Sequence, residues 1–452
     1  MDILDSILGE DIKKVMNNNS YKTQHWLMEI HTPDETIEVF KVLNIDIGRD
    51  YVDNFGDELV VSAMIPGGDY SYKMYPNLDQ LEATLYRFDI GQNNVERLLP
   101  SMANWSQRYV ANVIKPPASV VEQNTRNQAT ERNLNLTQML DLNIQLIPAT
   151  IDQLRMMTVG GVYRNTNSID LVKSILTYHS LNIDVSSEMM PLGVDIIEEK
   201  DIATREHYVI PHGTRVVDAP GYIHKNCGGV YNTGFSYYFQ DKMWYVYPTY
   251  NTERYNLTQK TITIINIPTN RMPGSERTFL IDGNHTTILA TGNTQFTDVS
   301  EPQLLNMGNG VRYADAANFM GSFVETVNNK TVASRGKNNN EYITVERSND
   351  LNNASISNTR ISSNPKYELS QLSGRDGVVI SLVWENSDIS TIYPGVPIKF
   401  KFLKEEKLKE VDGVVLKAHH YIQMSGKGVL ANKHICTTTL ALFVKRSVFK
   451  NL

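Results

Sequence analysis

Alternating apolar and polar residues near both ends of the chain limit its fold more than any other feature. In the segment IKFKF at 398–402, every second side chain is apolar, which is typical of a strand with one buried face. Similar runs, separated by turn signals such as PGGD at 66–69, fill residues 21–115 and return over 370–452. Strands at such short intervals predict a small antiparallel β-barrel-like domain at each end.

The middle of the chain has a different pattern. Residues 116–291 contain a helical stretch that begins at Asn167 or Ser168, and an aromatic hairpin in which FSYYF and MWYVYPTY flank the turn QDK. Residues 292–369 are rich in Asn, Ser and Thr, which indicates a polar linker or long loops. We therefore predict a mainly β fold with an α/β middle, in which two small antiparallel β-barrel-like domains flank a mixed central region.

The first 20 residues predict an amphipathic helix that ends at the run NNNS. Its apolar residues fall near helical spacing: Ile3, Leu4, Ile7, Leu8, Ile12 and Val15. Such a helix either docks on a partner protein or packs on its own domain, and the sequence leaves both alternatives open.

Charge and cysteine content exclude several classes of protein. The chain has 43 Lys and Arg against 50 Asp and Glu, a formal charge of −7, whereas nucleic-acid binding needs a basic face that neutralises phosphates. We expect no specific nucleic-acid binding. Cys227 and Cys436 are too few for a disulfide framework or a four-cysteine zinc site, which favours free thiols in a reducing cytoplasm. No run approaches the roughly 20 apolar residues that cross a bilayer, so we expect no membrane segment.

Catalytic motifs are absent from the sequence: it has no GxSxG, HExxH or phosphate-binding loop. Three groups of residues could still carry chemistry, and we expect none of them to do so: His207 with His212, His419 with His420, and Cys227 with His224. The adjacent residues His419 and His420 lie in a predicted strand and must face opposite sides, one towards solvent and one towards the interior. We predict no catalytic, cofactor-binding or metal-binding residues and no enzymatic activity.

One long segment resembles a known family. HYVIPHGTRVVDAPGYI, followed by GGVYNTGFSYYFQDKMWYVYPTY, is similar to the middle segment of the baseplate hub proteins of contractile-tailed bacteriophages, where a proline turn leads through a partial helix to an aromatic hairpin. These proteins are related to the hub part of type VI secretion spikes. The order of the domains and the C-terminal run GVVLKAHHYIQMSGKGVLANKHICTTTLALFVKR resemble the same family.

The resemblance implies a structural virion protein of the tail baseplate, assembled in the host cytoplasm. It implies a homotrimer whose two barrels per subunit form a pseudo-sixfold ring that joins the tail tube to the central spike. The implied partners are the central spike protein, the tail tube or tube-initiator protein, and other baseplate proteins.

Three alternatives remain open from the sequence. A carbohydrate- or receptor-binding tail protein would line a shallow groove with aromatic residues, including an exposed Trp384. A hub with fused cell-wall hydrolase activity would need its own catalytic set, and no segment resembles one. A tube or tube-terminator subunit is usually a single small domain, which disagrees with the three-part layout.

Overall fold

A computed structural model describes residues 9–17, 23–90, 98–115, 139–199, 204–269, 272, 277–298, 325–327, 330–334, 342–346, 364–404, 407–426 and 433–445. Its strands are β1 Thr23–His31, β2 Thr36–Glu38, β3 Lys41–Asp50, β4 Glu58–Pro66, β5 Glu82–Ile90, β6 Trp105–Lys115, β7 Met139–Ile147, β8 Thr158–Thr166, β9 Gly193–Ile196, β10 Arg205–Arg215, β11 Ser236–Gln240, β12 Met243–Tyr247, β13 Thr261–Ile267, β14 Phe279–Asp282, β15 His285–Asp298, β16 Glu325–Val327, β17 Lys330–Ser334, β18 Tyr342–Glu346, β19 Gly377–Glu385, β20 Pro397–Lys404, β21 Lys407–Met424 and β22 Lys433–Lys445.

The α-helices are α1 Gly9–Met16, α2 Ala149–Leu154, α3 Ser168–Leu181, α4 Ala219–Asn226 and α5 Pro365–Arg375, and short helical turns lie at Gly67–Asp69, Tyr70–Met74, Tyr75–Asn77, Pro100–Met102, Val216–Asp218 and Thr252–Leu257.

Strand pairing closes a first ring of hydrogen-bonded strands. Its order is β1-β5-β6-β7-β4-β3-β21-β22 and back to β1, and all neighbours are antiparallel. Apolar side chains alternate inward, as in β7, where Leu140, Leu142, Ile144 and Leu146 enter the core. The alternation of the sequence thus fills the interior of the ring and leaves polar residues outside.

A second ring follows the order β13-β20-β21-β22-β19-β15 and returns to β13. The strand β13 is parallel to both β15 and β20, and the other neighbours are antiparallel. Its core includes the fully buried side chains of Ile264, Trp384, Phe400 and Leu440. The short strand β14 extends this sheet beyond β15.

The two rings share the strands β21 and β22. One end of β21 pairs with β20 in the second ring, over Lys407–Val414, and the other end pairs with β3 in the first ring, over Lys417–Gln423. A register irregularity lies between these two parts, at Val415 and Lys417. Such irregularities bend a strand, which allows one long strand to follow the walls of two barrels in succession.

A mixed unit lies between the rings along the chain. The strands β9, β12 and β11 form a three-stranded sheet, and β8 pairs with β10. The helix α3 begins as expected, because the Asn167 side chain accepts a hydrogen bond from the amide of Asp170 (2.7 Å). Trp244 of β12 donates its Nε1–H to Ser180 Oγ of α3 (3.0 Å), so sheet and helix share one core.

The predicted fold class is confirmed: the protein is mainly β, with two barrel-like rings and a mixed central region. The domain boundaries expected at 21–115, 116–291 and 370–452 stay a prediction. Each ring combines strands that lie far apart in sequence, so strand pairing alone does not define where one domain ends and the next begins. Most of the expected linker at 292–369 lies outside the described residues. The described parts there are the end of β15, the small sheet β16-β17-β18 and the start of α5.

The described part of the N-terminal segment packs on its own chain. Ile12 and Val15 of α1 are fully buried against Ile265, Ile267 and Leu289. These residues form a cluster separate from the core of the second ring, so α1 covers the other face of β13 and β15. The remaining apolar residues of the predicted helix, Ile3, Leu4, Ile7 and Leu8, lie outside the described residues. Among the described helices, none has the length and apolar character that crossing a membrane requires.

The shared strand β22 gives a direct test of this architecture. Thr439 has an exposed side chain but pairs with β19 on one side and β21 on the other. A Thr439→Pro substitution removes a backbone donor from the centre of the sheet, and we expect it to lower the free energy of unfolding by about 2–4 kcal/mol. The control Thr439→Val should stay within about 0.5 kcal/mol. Urea unfolding measures both, and equal midpoints would contradict the shared-strand arrangement.

Candidate functional site

A buried polar network lies where the two rings meet the mixed unit. Arg49 at the end of β3 donates from Nε to Asp57 Oδ2 (3.2 Å) and from Nη1 to the carbonyl of Ile389 (3.0 Å). Arg49 Nη1 also lies 3.3 Å from His420 Nε2 on β21. Tyr238 of β11 donates its hydroxyl to Asp57 Oδ1 (3.0 Å). Residues from the first ring, the shared strand and the mixed unit therefore meet at one ion pair.

Burial determines the protonation states in this network. Arg49 is only 5% exposed. Burial alone would lower the pKa of Arg49, but the Asp57 carboxylate outweighs that effect, so the pKa lies above its ordinary value and the guanidinium stays charged. Burial, and then the charge of Arg49, hold the pKa of His420 well below its ordinary value. His420 is neutral: Nε2 accepts from Arg49, and Nδ1–H donates to Thr438 Oγ1 (2.7 Å).

The aromatic hairpin β11–β12 is fastened to the same junction by its tyrosines and by Gln240. Tyr51 donates its hydroxyl to Gln240 Oε1 (3.2 Å), and Gln240 Nε2 donates to the carbonyl of Ile392 (3.0 Å). Tyr247 donates its hydroxyl to the carbonyl of Tyr51 (3.0 Å). The rings of Tyr51 and Tyr238 meet edge to face, with centroids 4.9 Å apart. The hairpin that carries the family resemblance thus joins the mixed unit to both rings.

A cavity of about 370 Å³ lies beside the junction and is lined by charged residues from several elements. Arg87 contributes to its wall and forms ion pairs with Asp89 (3.0 Å) and Asp388 (3.0 Å). Arg49, also in the wall, is paired with Asp57. Both arginines are thus paired with carboxylates of the chain itself, and the remaining charged residues of the wall are one acidic and one basic residue, Asp241 and Lys242.

The predicted orientation of the adjacent histidines is confirmed. His419 is exposed and its Nε2 lies 2.6 Å from Asp46 Oδ1, whereas His420 is fully buried in the junction. The other pair, His207 and His212, lies on exposed positions of β10. Within the described ranges, no three His, Cys, Asp or Glu side chains come together in an arrangement that could hold a metal ion.

His224 connects α4 to α5. Its Nδ1 accepts from the amide of Val230 (3.0 Å), so Nε2 carries the proton and donates to Ser370 Oγ (2.8 Å). The ring stacks on Phe235, with centroids 4.7 Å apart. Burial, and then the positive charge of Lys366, lower the pKa of His224 to about 3. The imidazole is therefore neutral at physiological pH and both of its nitrogens are occupied.

Cys227 and His224 do not form a nucleophile–base pair in this structure. The Cys227 thiol donates to the carbonyl of Val209 (3.7 Å), and burial raises its pKa, which disfavours the thiolate. His224 directs its nitrogens to Val230 and Ser370 instead. The hydrogen bonds of both side chains and the stacking of His224 on Phe235 show that these two residues contribute to packing and hydrogen bonding within the fold.

The Arg49–Asp57 pair was not singled out from the sequence, although a signal was present. Arg49 follows Ile45 and Ile47 at a spacing of two, on the buried face of β3. A charged residue in register with buried apolar residues requires a partner, because an unpaired buried charge is strongly unfavourable. The partner itself could not be identified without the fold.

Trp384 is fully buried and donates its Nε1–H to Thr278 Oγ1 (3.0 Å). The exposed Trp384 that would favour a carbohydrate-binding groove is therefore not observed.

No family model and no curated protein matches the chain. Solved structures do. A tail protein from Neisseria meningitidis MC58 is 8% identical, with a TM-score of 0.41 over 93% of this chain and 96% of that one. The 43 kDa tail protein of prophage MuSo2 from Shewanella oneidensis is 7% identical, with a TM-score of 0.44 over 93% and 97%. An Escherichia coli component of the type VI secretion system is 9% identical, with a TM-score of 0.43 over 91% and 76%.

Two of these neighbours are tail proteins and the third is a type VI secretion component. Their TM-scores lie below 0.5 and their identities below 10%, so a function for this chain has to be supported by its own strand pairing and contacts.

The buried ion pair predicts a large asymmetry between two basic residues. Arg49→Met leaves the buried Asp57 carboxylate without its cation, and we expect a loss of about 3–5 kcal/mol in the free energy of unfolding. The control Lys417→Met removes a half-exposed partner of Asp50 and should cost at most about 1 kcal/mol. Chemical denaturation of both variants measures the two free energies of unfolding. Similar decreases in the two variants would contradict a central role for Arg49.

The neutral His224 predicts a loss of stability in acid. The unfolded chain takes up a proton near the ordinary pKa of 6.5, whereas the folded chain takes it up only near 3, so stability falls as the pH falls through that window. Between pH 5.5 and 4.5 we expect the free energy of unfolding of His224→Gln to fall less steeply than that of the wild type, by about 1.4 kcal/mol per pH unit. Parallel slopes, measured by urea unfolding at each pH, would show that the histidine ionises normally.

Proposed function

We propose that this chain is a structural subunit of a contractile phage tail, the central hub of its baseplate, and that it works as a homotrimer. The observation that carries the proposal is the pair of strand rings in one chain, which share β21 and β22. Three copies would place six rings around one axis. Such a ring of rings would connect a central spike of threefold symmetry to a tail tube of sixfold symmetry.

The internal construction supports a mechanical role. An adapter between two symmetries must hold its two rings in a fixed relation, and a wall common to both rings does so without a flexible linker. The Arg49–Asp57 pair and the tyrosines of β11–β12 add polar and aromatic contacts that fix the mixed unit to this wall. Buried, fully paired polar contacts favour one arrangement over others that would leave them unsatisfied.

The remaining parts of the proposal concern partners and location. We infer that the copies bind the central spike protein, the tail tube or tube-initiator protein and other baseplate proteins through complementary surfaces. We place the assembled protein in the virion, after assembly in the host cytoplasm, and propose no enzymatic turnover. The formal charge of −7 suits a channel through which DNA passes without being held.

Oligomeric state tests the proposal. We expect a trimer, or a monomer that becomes trimeric when co-expressed with the spike protein, because stable interfaces of this kind often bury more than about 2,000 Å². Light scattering across a wide concentration range, with and without the spike, measures the mass. A monodisperse monomer that stays monomeric with the spike present would overturn the hub assignment.

A further inference from the structure

The ribbon formed by β8 and β10 presents an exposed apolar centre. Among the described residues these two strands pair only with each other. One face packs into the mixed unit through Tyr208 and Ile210, which are buried. On the other face Val162 and Val209 lie directly opposite each other and are 55% and 57% exposed. Such a cross-strand pair of β-branched residues stabilises the ribbon and also leaves apolar surface that a partner could cover.

Positive charge borders these valines. The next outward-facing cross-strand pair is Arg164 with His207, and both residues are exposed. Arg205 follows along β10, but its guanidinium lies against Gly228 of the mixed unit and does not add to the outer face. The one acidic residue of the ribbon, Glu206, alternates to the side of Tyr208. The outer face of the ribbon is therefore apolar at its centre and basic at one end.

A second surface of the mixed unit has the opposite charge. The strand β9 pairs with β12 alone within the described part of the chain, which leaves its other edge without a neighbouring strand. Leu192, immediately before β9, is 69% exposed. Asp195 and Glu198 are exposed, whereas Glu199 is occupied by Lys366 (3.7 Å). Leu192 precedes the face of β9 that carries Val194 and Ile196, and the exposed carboxylate of Glu198 follows the end of that strand, whereas Asp195 faces the other way beside Tyr245.

These two surfaces cannot satisfy each other within one copy. The helix α3 packs on β9, α4 packs on β10, and the two helices pack on each other, so they stand between the acidic edge and the basic ribbon. An apolar centre with charges of opposite sign around it is the usual composition of a specific interface.

We propose that the β8–β10 ribbon of one copy docks on the β9 edge of the next copy. The inference rests on the proposed homotrimer and names a contact that holds it together. Because the two surfaces differ, the contact is head to tail, and such contacts form a ring of three when the rotation from one copy to the next is one third of a full turn and an open filament when it does not close. In the assembly Val162 and Val209 cover Leu192, and Arg164 approaches Glu198.

A charge exchange tests the contact. The variants Arg164→Glu and Glu198→Lys each place like charges across the interface, and the double variant restores opposite charges. We expect each single variant to raise the concentration of half-assembly by about tenfold, and the double variant to recover most of that loss. Analytical ultracentrifugation of the full chain, with the spike protein added if the wild type requires it, measures the half-assembly concentration.

Matched controls separate this contact from a general effect of charge. Lys13→Glu on the exposed side of α1 and Asp79→Lys in an exposed turn change charge by the same amounts on elements that take no part in either surface, and should assemble like the wild type. A second variant, Val162→Thr with Val209→Thr, keeps the β-branched shape and removes apolar surface, and should also weaken assembly. This valine variant still tests the contact if a charge reversal impairs folding. Urea unfolding of each variant monomer shows whether folding is impaired.

The outcomes distinguish the contact from the function. If the wild type forms trimers and the ribbon and edge variants assemble equally well, the contact is wrong and the hub function stands. If the wild type forms no trimer even with the spike, the proposed function fails and the contact with it. Weakening by both single variants with no recovery in the double variant would also overturn the pairing, since it would place the two residues in separate interfaces.

Discussion

The antiparallel ladder between β21 and β22 is the constraint on which the other parts of the structure depend. It is a wall of the first ring and of the second ring, so neither ring closes unless these two strands are paired in the correct register. A slip of one residue would turn every inward side chain outward in both rings at once. The sharing therefore couples the two cores, and we expect them to unfold together.

This coupling has a kinetic consequence. The first ring closes where Gln24 of β1 pairs with His434 of β22, so residues from nearly opposite ends of the chain must meet. Contacts between such distant residues pay the full entropy of loop closure before they are stabilised, and folds that depend on them form slowly. Until β22 is in place, the edges of β1 and β21 remain open to other chains.

The sequence predicts where the strands lie better than it predicts which strands pair with each other. The spacing of two in IKFKF at 398–402 identified β20, and the same rule placed His419 and His420 on opposite sides of their strand, although only the structure shows that His420 is the buried one. Both inferences need only neighbours along one strand. The strand order within the rings did not follow, because pairing β13 with β15 and β20 depends on contacts between distant segments that no local pattern encodes.

The same limit applies to the junction and to His224. The position of Arg49, two residues after Ile47 in an alternating strand, indicates a buried charge. No residue near Arg49 in the sequence identifies His420 or Ile389 as its neighbours. His224 lies beside Cys227 in sequence, which suggested a reactive pair. Its actual partner, Ser370, is supplied by α5 from far along the chain, and that contact makes the imidazole a structural element.

The position of the tyrosines changes what their abundance means. A chain with 23 Tyr suggests large contact surfaces between subunits, since the ring is apolar and its hydroxyl polar. Tyr51, Tyr238 and Tyr247 are instead buried, and each hydroxyl bonds to a group in another element of the same chain. At the junction of the two rings and the mixed unit, the tyrosine rings fill the core and their hydroxyls form hydrogen bonds with buried polar groups. Other tyrosines, such as Tyr72 and Tyr178, are exposed, so the surface left for partners carries tyrosine as well as aliphatic residues such as Val209 and Leu192.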